Sequence, residues 1–245
     1  MFVLKDQSLL LDKLKENLPF KIDTDFGINE ILNQKILSNE FGDKIIKVQM
    51  SSEDFKFMKK LDSSSKRISI KEYVSNYLDS HQNLYYFKCE DSYDFLSEIN
   101  KKQSIISKYK FGKNGRVSFW WGNKNTITPF HYDSYGFKQD RLIKLNYGEE
   151  YYKKPFEHSI LTVIEGKKKV YIIHPKYSKF LNHDTELQDG ASWCLESTEC
   201  ILNNKNIKYE TVILNAGESI NLPMFWWHKI ENLERGLAIT YGFLI

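Results

Sequence analysis

Apolar residues recur at helical spacing in the first half of the chain and at strand spacing in the second. Leu10, Leu11, Leu14 and Leu18 alternate with Asp12, Lys13, Lys15 and Glu16, which predicts an amphipathic helix over residues 7–18, stopped by Pro19. Ile28, Ile31, Leu32 and Ile36 suggest a second helix over 28–37, and 44–50 reads as a strand. Ser69 with Glu72 three residues later is a capping-box pattern. It opens a helix over 69–78 whose face is Ile70, Tyr73, Val74, Tyr77 and Leu78. A β-rich run over 83–89 follows, then helical spacing over 94–106. Strands dominate afterwards: 116–121, 126–133, 159–164, 168–173, 210–214, 219–222, 225–231 and 237–243, with turn signals at Glu165-Gly166 and at Asn215-Ala216-Gly217-Glu218. Many short strands preceded by helices predict a mainly β chain, an antiparallel sandwich or barrel with a helical N-terminal part. Neither an internal repeat nor a low-complexity linker interrupts it. A single domain is expected, with residues 1–43 as a helical extension packed on a core formed by 44–245.

Composition narrows the class only a little. Aromatics make up 15% of the 245 residues, and Gly and Pro are sparse, as in a globular fold with many buried rings. The formal net charge of +3 is too small to imply nucleic-acid binding by itself. Cys89, Cys194 and Cys200 are widely spaced, which suggests reduced thiols and supplies no metal-thiolate signature. The N-terminus lacks a basic region followed by a long apolar stretch. No apolar run approaches the ~20 residues of a membrane span. A soluble cytoplasmic protein without membrane contact is expected.

Chemistry concentrates at Thr126-Ile127-Thr128-Pro129-Phe130-His131-Tyr132-Asp133. In a strand, residues two apart share a face, so the His131 imidazole and the Asp133 carboxylate can converge on one point. One histidine and one carboxylate, joined by a second histidine, make the facial triad of non-haem Fe(II) oxygenases. His81, His158, His174 and His183 sit in polar stretches, charged connections or strand ends. His228 differs, because it lies in the apolar, aromatic run Met224-Phe225-Trp226-Trp227-His228. Taken alone, it reads first as a core histidine bonded to a backbone carbonyl.

Three blocks give the pattern more specificity. They are Thr-Pro-Phe-His-Tyr-Asp after a Trp-Trp-Gly strand, Glu-Gly-Lys-Lys-Lys-Val-Tyr-Ile-Ile-His-Pro, and Gly-Glu-Ser-Ile-Asn-Leu-Pro-Met-Phe-Trp-Trp-His-Lys-Ile-Glu-Asn-Leu. Together they resemble the JmjC and cupin-like family, and most closely its small hydroxylase branch of the asparaginyl hydroxylase type. The resemblance implies a double-stranded β-helix, or jelly roll, that binds Fe(II) and uses 2-oxoglutarate and O₂ to hydroxylate a C–H bond. It implies His131, Asp133 and His228 as catalytic metal ligands. Lys168 is the implied partner of the far carboxylate of 2-oxoglutarate, and Thr128 a hydrogen-bond donor to it. Tyr85 is the implied co-substrate tyrosine, with Tyr86 one register slip away. Ser159 and Gly242 stand where the hydroxylase relative carries asparagines near the co-substrate.

Parity alone does not say which face of 168–173 points inward, so a solvated hairpin remains the alternative for Lys167-Lys168-Lys169. The connection over 134–158 is longer than in that relative and interleaves basic residues such as Lys138 and Arg141 with aromatics such as Tyr147 and Tyr151. It reads as a substrate lid, a base-stacking patch or an ordinary covering loop. A protein or peptide side chain is the expected substrate. A modified RNA base is the alternative enzyme substrate, and a non-catalytic metal-binding cupin scaffold the alternative of another class. A monomer or a homodimer fits the sequence equally.

Overall fold

The computed structural model describes residues 1–23, 32–50, 66–78, 85–89, 116–133, 157–184 and 191–244. The helix expected over 94–106 and the connection from 134 to 156 lie outside the described residues. Two sheets make the body. The larger contains β1 (Phe2–Leu4), β2 (Phe20–Ile22), β3 (Ile45–Met50), β4 (Lys66–Ser69), β5 (Tyr85–Cys89), β6 (Arg116–Gly122), β8 (Glu157–Glu165), β12 (Ser219–Pro223) and β14 (Gly236–Leu244). Its order is β1-β2-β12-β8-β14-β6-β5-β3-β4. The smaller, ordered β10-β7-β13-β9-β11, contains β7 (Ile127–Asp133), β9 (Lys167–Ile173), β10 (Ala191–Trp193), β11 (Tyr209–Asn215) and β13 (Trp227–Asn232). From β6 onward, successive strands alternate between the sheets except at β9 and β11, which pair with each other in the smaller one, β10 being an extra edge strand. That alternation is the double-stranded β-helix the resemblance implied.

The alternation of side chains along these strands builds three apolar layers. Leu161, Val163, Ile220, Leu222 and Ala238 of the large sheet meet Val170, Ile172 and Leu214 of the small one. The outer face of the large sheet, with Phe119, Trp121, Ile160 and Ile239, is covered by N-terminal residues including Leu10, Leu14, Phe20, Leu37 and Tyr73. On the outer face of the small sheet, Phe130, Tyr132, Ile173 and Trp227 pack under Leu181 and Ile201. There, the Trp227 indole N–H donates to Ser178 Oγ at 2.8 Å, in the 3-10 turn Pro175–Phe180.

Several local expectations are corrected. The first helix is short: a 3-10 turn at Gln7–Leu9 leads into α1 (Leu10–Leu14). Asn17 follows at φ 53°, a left-handed conformation that no helix continues. Leu11 and Leu18 are therefore exposed, while Leu10 and Leu14 are buried. Of the second helix expected over 28–37, residues 28–31 lie outside the described residues; among the described ones α2 (Gln34–Glu40) starts at Asn33, whose side chain accepts from the Ile36 N–H and caps it. Residues 1–43, expected as a helical extension, also contribute β1 and β2 to the larger sheet. The capping box is confirmed in part: Ser69 accepts from the Glu72 N–H at 3.0 Å and starts α3 (Ile70–Asn76). The strand expected from Phe225 starts only at Trp227. Phe225 has φ 69°, incompatible with an extended strand, and so forms a turn after β12. A last helix, α4 (Thr198–Asn203), and β10 carried no sequence expectation.

The turn between β8 and β9 rests on Gly166 at φ 76°, and a Cβ there would collide with the Arg235 carbonyl oxygen. Gly166→Ala is expected to destabilise the fold by about 1–3 kcal/mol, read as a lower midpoint in urea unfolding. An unchanged midpoint would contradict the turn geometry.

Candidate metal centre

Register decides what the small sheet can do. His131 on β7 lies directly opposite His228 on β13. Directly paired residues share a face, so the two imidazoles meet, with ring centroids 4.2 Å apart. Asp133, two residues on, presents one carboxylate oxygen 3.9 Å from His131 Nε2 and the other 3.8 Å from His228 Nε2. One ligand atom from each of the three residues falls within 4.8 Å of the others. The two histidines are buried and Asp133 is partly exposed, so the cluster opens on the aspartate side.

The imidazoles are oriented from behind. His131 Nδ1 lies 2.8 Å from the Pro129 carbonyl, and His228 Nδ1 lies 2.9 Å from the Trp226 carbonyl. A carbonyl only accepts, so each Nδ1 carries the proton and each Nε2 presents its lone pair toward Asp133. Backbone carbonyls of this kind are the usual orienting partners of metal-bound histidines. Two neutral imidazole nitrogens and a carboxylate suit a divalent transition metal. Trp193 of β10 stacks on His131, with centroids 4.4 Å apart and planes 18° apart. The Phe225 N–H donates to the Asp133 carbonyl at 3.0 Å, tying the turn before His228 to the end of β7.

Thr128 is three residues from His131, which on a regular pleat would turn it to the other face. It pairs with Ile230, however, while His131 pairs with His228. Three steps on β7 therefore match two on β13. The extra residue is a β-bulge next to Pro129, which has no N–H for the ladder. Thr128 thereby joins the histidine face. On β9, Lys168 pairs with Asn232, Val170 with Ile230 and Ile172 with His228. That register settles the parity question. Lys168 faces between the sheets and is 1% exposed, so the solvated-hairpin alternative is excluded. Burial alone pushes its ammonium down to about 7. Among the described residues its one acceptor is Asn232 Oδ1, at 2.5 Å.

Ser159 is buried on β8, paired with Leu222 and with Gly242. It alternates in phase with Leu161 and Val163, which face between the sheets. β5 contains Tyr85 and Tyr86, with Tyr86 opposite Gly122; their side chains lie outside the described residues. Sequence reasoning missed Asn232 and Trp193. Asn232 had a legible signal, since it lies four residues after His228 and so on the same face. Trp193 had none, because nothing in its sequence brings β10 against β7.

A family model described as a cupin-like domain matches residues 21–243. Among curated proteins, the chain is similar to JmjC domain-containing protein C of Dictyostelium discoideum, 29% identical over 161 residues covering 64% of this chain and 33% of that protein. It is similar to JmjC domain-containing protein D of the same organism, 27% identical over 139 residues covering 51% and 24%. Lysine-specific demethylase JMJ30 of Arabidopsis thaliana is 22% identical over 161 residues covering 61% and 31%. The chain thus spans a quarter to a third of the length of these relatives.

His158, next to Ser159, is buried with Nδ1 3.2 Å from Asn221 Oδ1. Burial holds its pKa down at about 4, against 6.5 for the ordinary group. The unfolded chain therefore binds the extra proton between these values, and stability falls as pH drops from about 6.5 to 4, by roughly 3 kcal/mol. Urea unfolding at stepped pH should show this acid limb, flattened in His158→Phe. An identical limb in the variant would contradict it.

Proposed function

Because the chain belongs to the cupin-like domain family, we propose that it is an Fe(II)- and 2-oxoglutarate-dependent oxygenase that hydroxylates a C–H bond of a protein side chain. The observation that carries this reading is a single sheet face. It holds two imidazoles with Nε2 turned toward one carboxylate. On the same face, four ladder positions away, it holds a buried lysine.

His131, His228 and Asp133 would hold the iron through two imidazole nitrogens and a carboxylate. Four positions span roughly 13 Å along the strand, room for the far carboxylate of 2-oxoglutarate to reach Lys168 while its 2-oxo acid end lies at the metal. A buried ammonium without a counter-charge opposes folding, and a dianionic co-substrate supplies one. Thr128, on the same face, adds a hydroxyl beside that carboxylate. Tyr85 (or Tyr86) is assigned there by family resemblance, and Ser159 contributes a small polar wall from the facing sheet. Iron and 2-oxoglutarate supply O₂-driven oxidation of the substrate C–H bond, coupled to conversion of 2-oxoglutarate to succinate and CO₂. The apolar layer between the sheets keeps bulk water from the reacting side.

A protein substrate is supported by relatives named lysine-specific demethylases, including lysine-specific demethylase 8 of Xenopus tropicalis, 21% identical over 183 residues. The basic and aromatic composition of 134–156 favours a modified RNA base as the second reading. Fe(II)-loaded protein supplied with 2-oxoglutarate and O₂ should form succinate, and a peptide that serves as substrate should gain one oxygen atom by mass. Absence of succinate with every peptide and RNA tried would remove the oxygenase reading.

Two variants separate the roles. His131→Ala should weaken Fe(II) binding by more than about 100-fold. Lys168→Met should leave iron binding intact and weaken 2-oxoglutarate by about 2–5 kcal/mol. Without co-substrate, the same Lys168→Met change should stabilise the fold by roughly 1–4 kcal/mol, because it removes a buried ammonium. Co-substrate affinity in the wild type should fall as pH rises above about 7, where Lys168 loses its proton. A flat profile would contradict the anchor.

A further inference from the structure

We propose that Asn232 is a positioning residue for the carboxylate anchor, aiming the Lys168 ammonium through an amide that is itself locked from behind. The inference rests on the reading of Lys168 as the group that meets the far carboxylate of 2-oxoglutarate. Asn232 and Lys168 are a directly opposed cross-strand pair, and Asn232 Oδ1 accepts from Lys168 Nζ at 2.5 Å.

A lone amide could swing with the lysine. This one is held. Its Nδ2 donates to Thr126 Oγ1 at 2.8 Å and to the Asn123 carbonyl at 3.2 Å. Both partners are acceptors toward it, since the Thr126 hydroxyl spends its own proton on the Asn123 carbonyl at 2.8 Å. The amide is thereby forced to turn Oδ1, not Nδ2, to the lysine. The backbone repeats the tie: the Asn232 N–H donates to the Thr126 carbonyl at 3.0 Å, and the Asn125 N–H to the Asn232 carbonyl at 2.8 Å. Asn123 extends it to α3, donating from Nδ2 to the Tyr77 carbonyl at 3.0 Å. Asn232, Thr126 and Asn123 are all at least 95% buried, so water does not compete for these bonds.

The neutrality of position 232 matters as much as its geometry. An amide engages one of three ammonium donors and leaves the charge unpaired. Two N–H groups stay directed at an incoming carboxylate. A carboxylate at this position would pair with Lys168 itself and cancel the attraction meant for the ligand.

The test is calorimetric titration of 2-oxoglutarate into the full chain loaded with Mn(II), a metal that permits binding without turnover. Wild type, Asn232→Asp and Thr126→Val are compared, with Mn(II) affinity and Tm recorded for each. Asn232→Asp should bind 2-oxoglutarate at least about tenfold more weakly, with Mn(II) affinity unchanged within about twofold. Its affinity should also lose the fall above neutral pH seen in the wild type, because the ion pair keeps Lys168 protonated. Thr126→Val, which frees the amide without adding charge, should fall between the two. A folded Asn232→Asp that binds 2-oxoglutarate like the wild type would show that Asn232 only stitches the Asn123–Thr126 loop to β13, and would overturn the proposal. Should Asn232→Asp fail to fold, Thr126→Val decides, and wild-type affinity in it is the overturning result. A wild type that holds Mn(II) but takes up no 2-oxoglutarate removes the anchor reading beneath, an outcome distinct from either variant's behaviour.

Discussion

The register of β7 against β13 is the constraint on which the functional face depends. His131 opposite His228 brings two imidazoles together, and a shift by one residue would send one of them to the outer apolar layer. Two local departures from ideal geometry hold that register. The bulge at Pro129 restores Thr128 to the histidine face. Phe225, at φ 69°, bends the chain so that its N–H meets the Asp133 carbonyl. A bulky residue in that conformation stores on the order of 1–3 kcal/mol. Such strain persists because the aromatic packing of Phe225 and Trp227 against Tyr132 secures the turn.

A second constraint is electrostatic. The space between the sheets is mostly aliphatic, yet it contains Lys168 with one neutral partner. A fold selected for stability alone would fill that position with methionine or leucine. The lysine makes sense where an anion completes it, and the histidine face four positions along the same ladder gives the other end of such an anion a place to bind. In the proposed function, the metal site and the anchor are two ends of one surface, with spacing set by strand geometry.

Much of this was legible in the sequence because the signals were local. Alternation located nearly every strand after Arg116, the His-x-Asp spacing put two ligands on one face, and His228 stood out as an imidazole in an aromatic strand. The Ser69 cap was readable for the same reason. What was not legible depended on partners distant in sequence. Both faces of β9 are partly apolar, so only its pairing with β13 could show that Lys168 points inward. The left-handed residues Asn17 and Phe225 ended one helix and delayed one strand where hydrophobic spacing continued through them. Trp193 reaches His131 from an edge strand of three residues, too short to leave a pattern. Asn232 looked like an ordinary residue at a strand end until its position opposite Lys168 gave it a task.

In the proposed function, one sheet face binds a metal at one end and a carboxylate at the other, through a single co-substrate. Anaerobic visible absorption of the Fe(II)-loaded protein tests it most directly, with 2-oxoglutarate compared against pyruvate, which chelates identically but lacks the far carboxylate. A metal-to-ligand charge-transfer band is expected with both, saturating at a concentration at least about tenfold lower for 2-oxoglutarate. Equal saturation by the two acids, or no band with either, would contradict it.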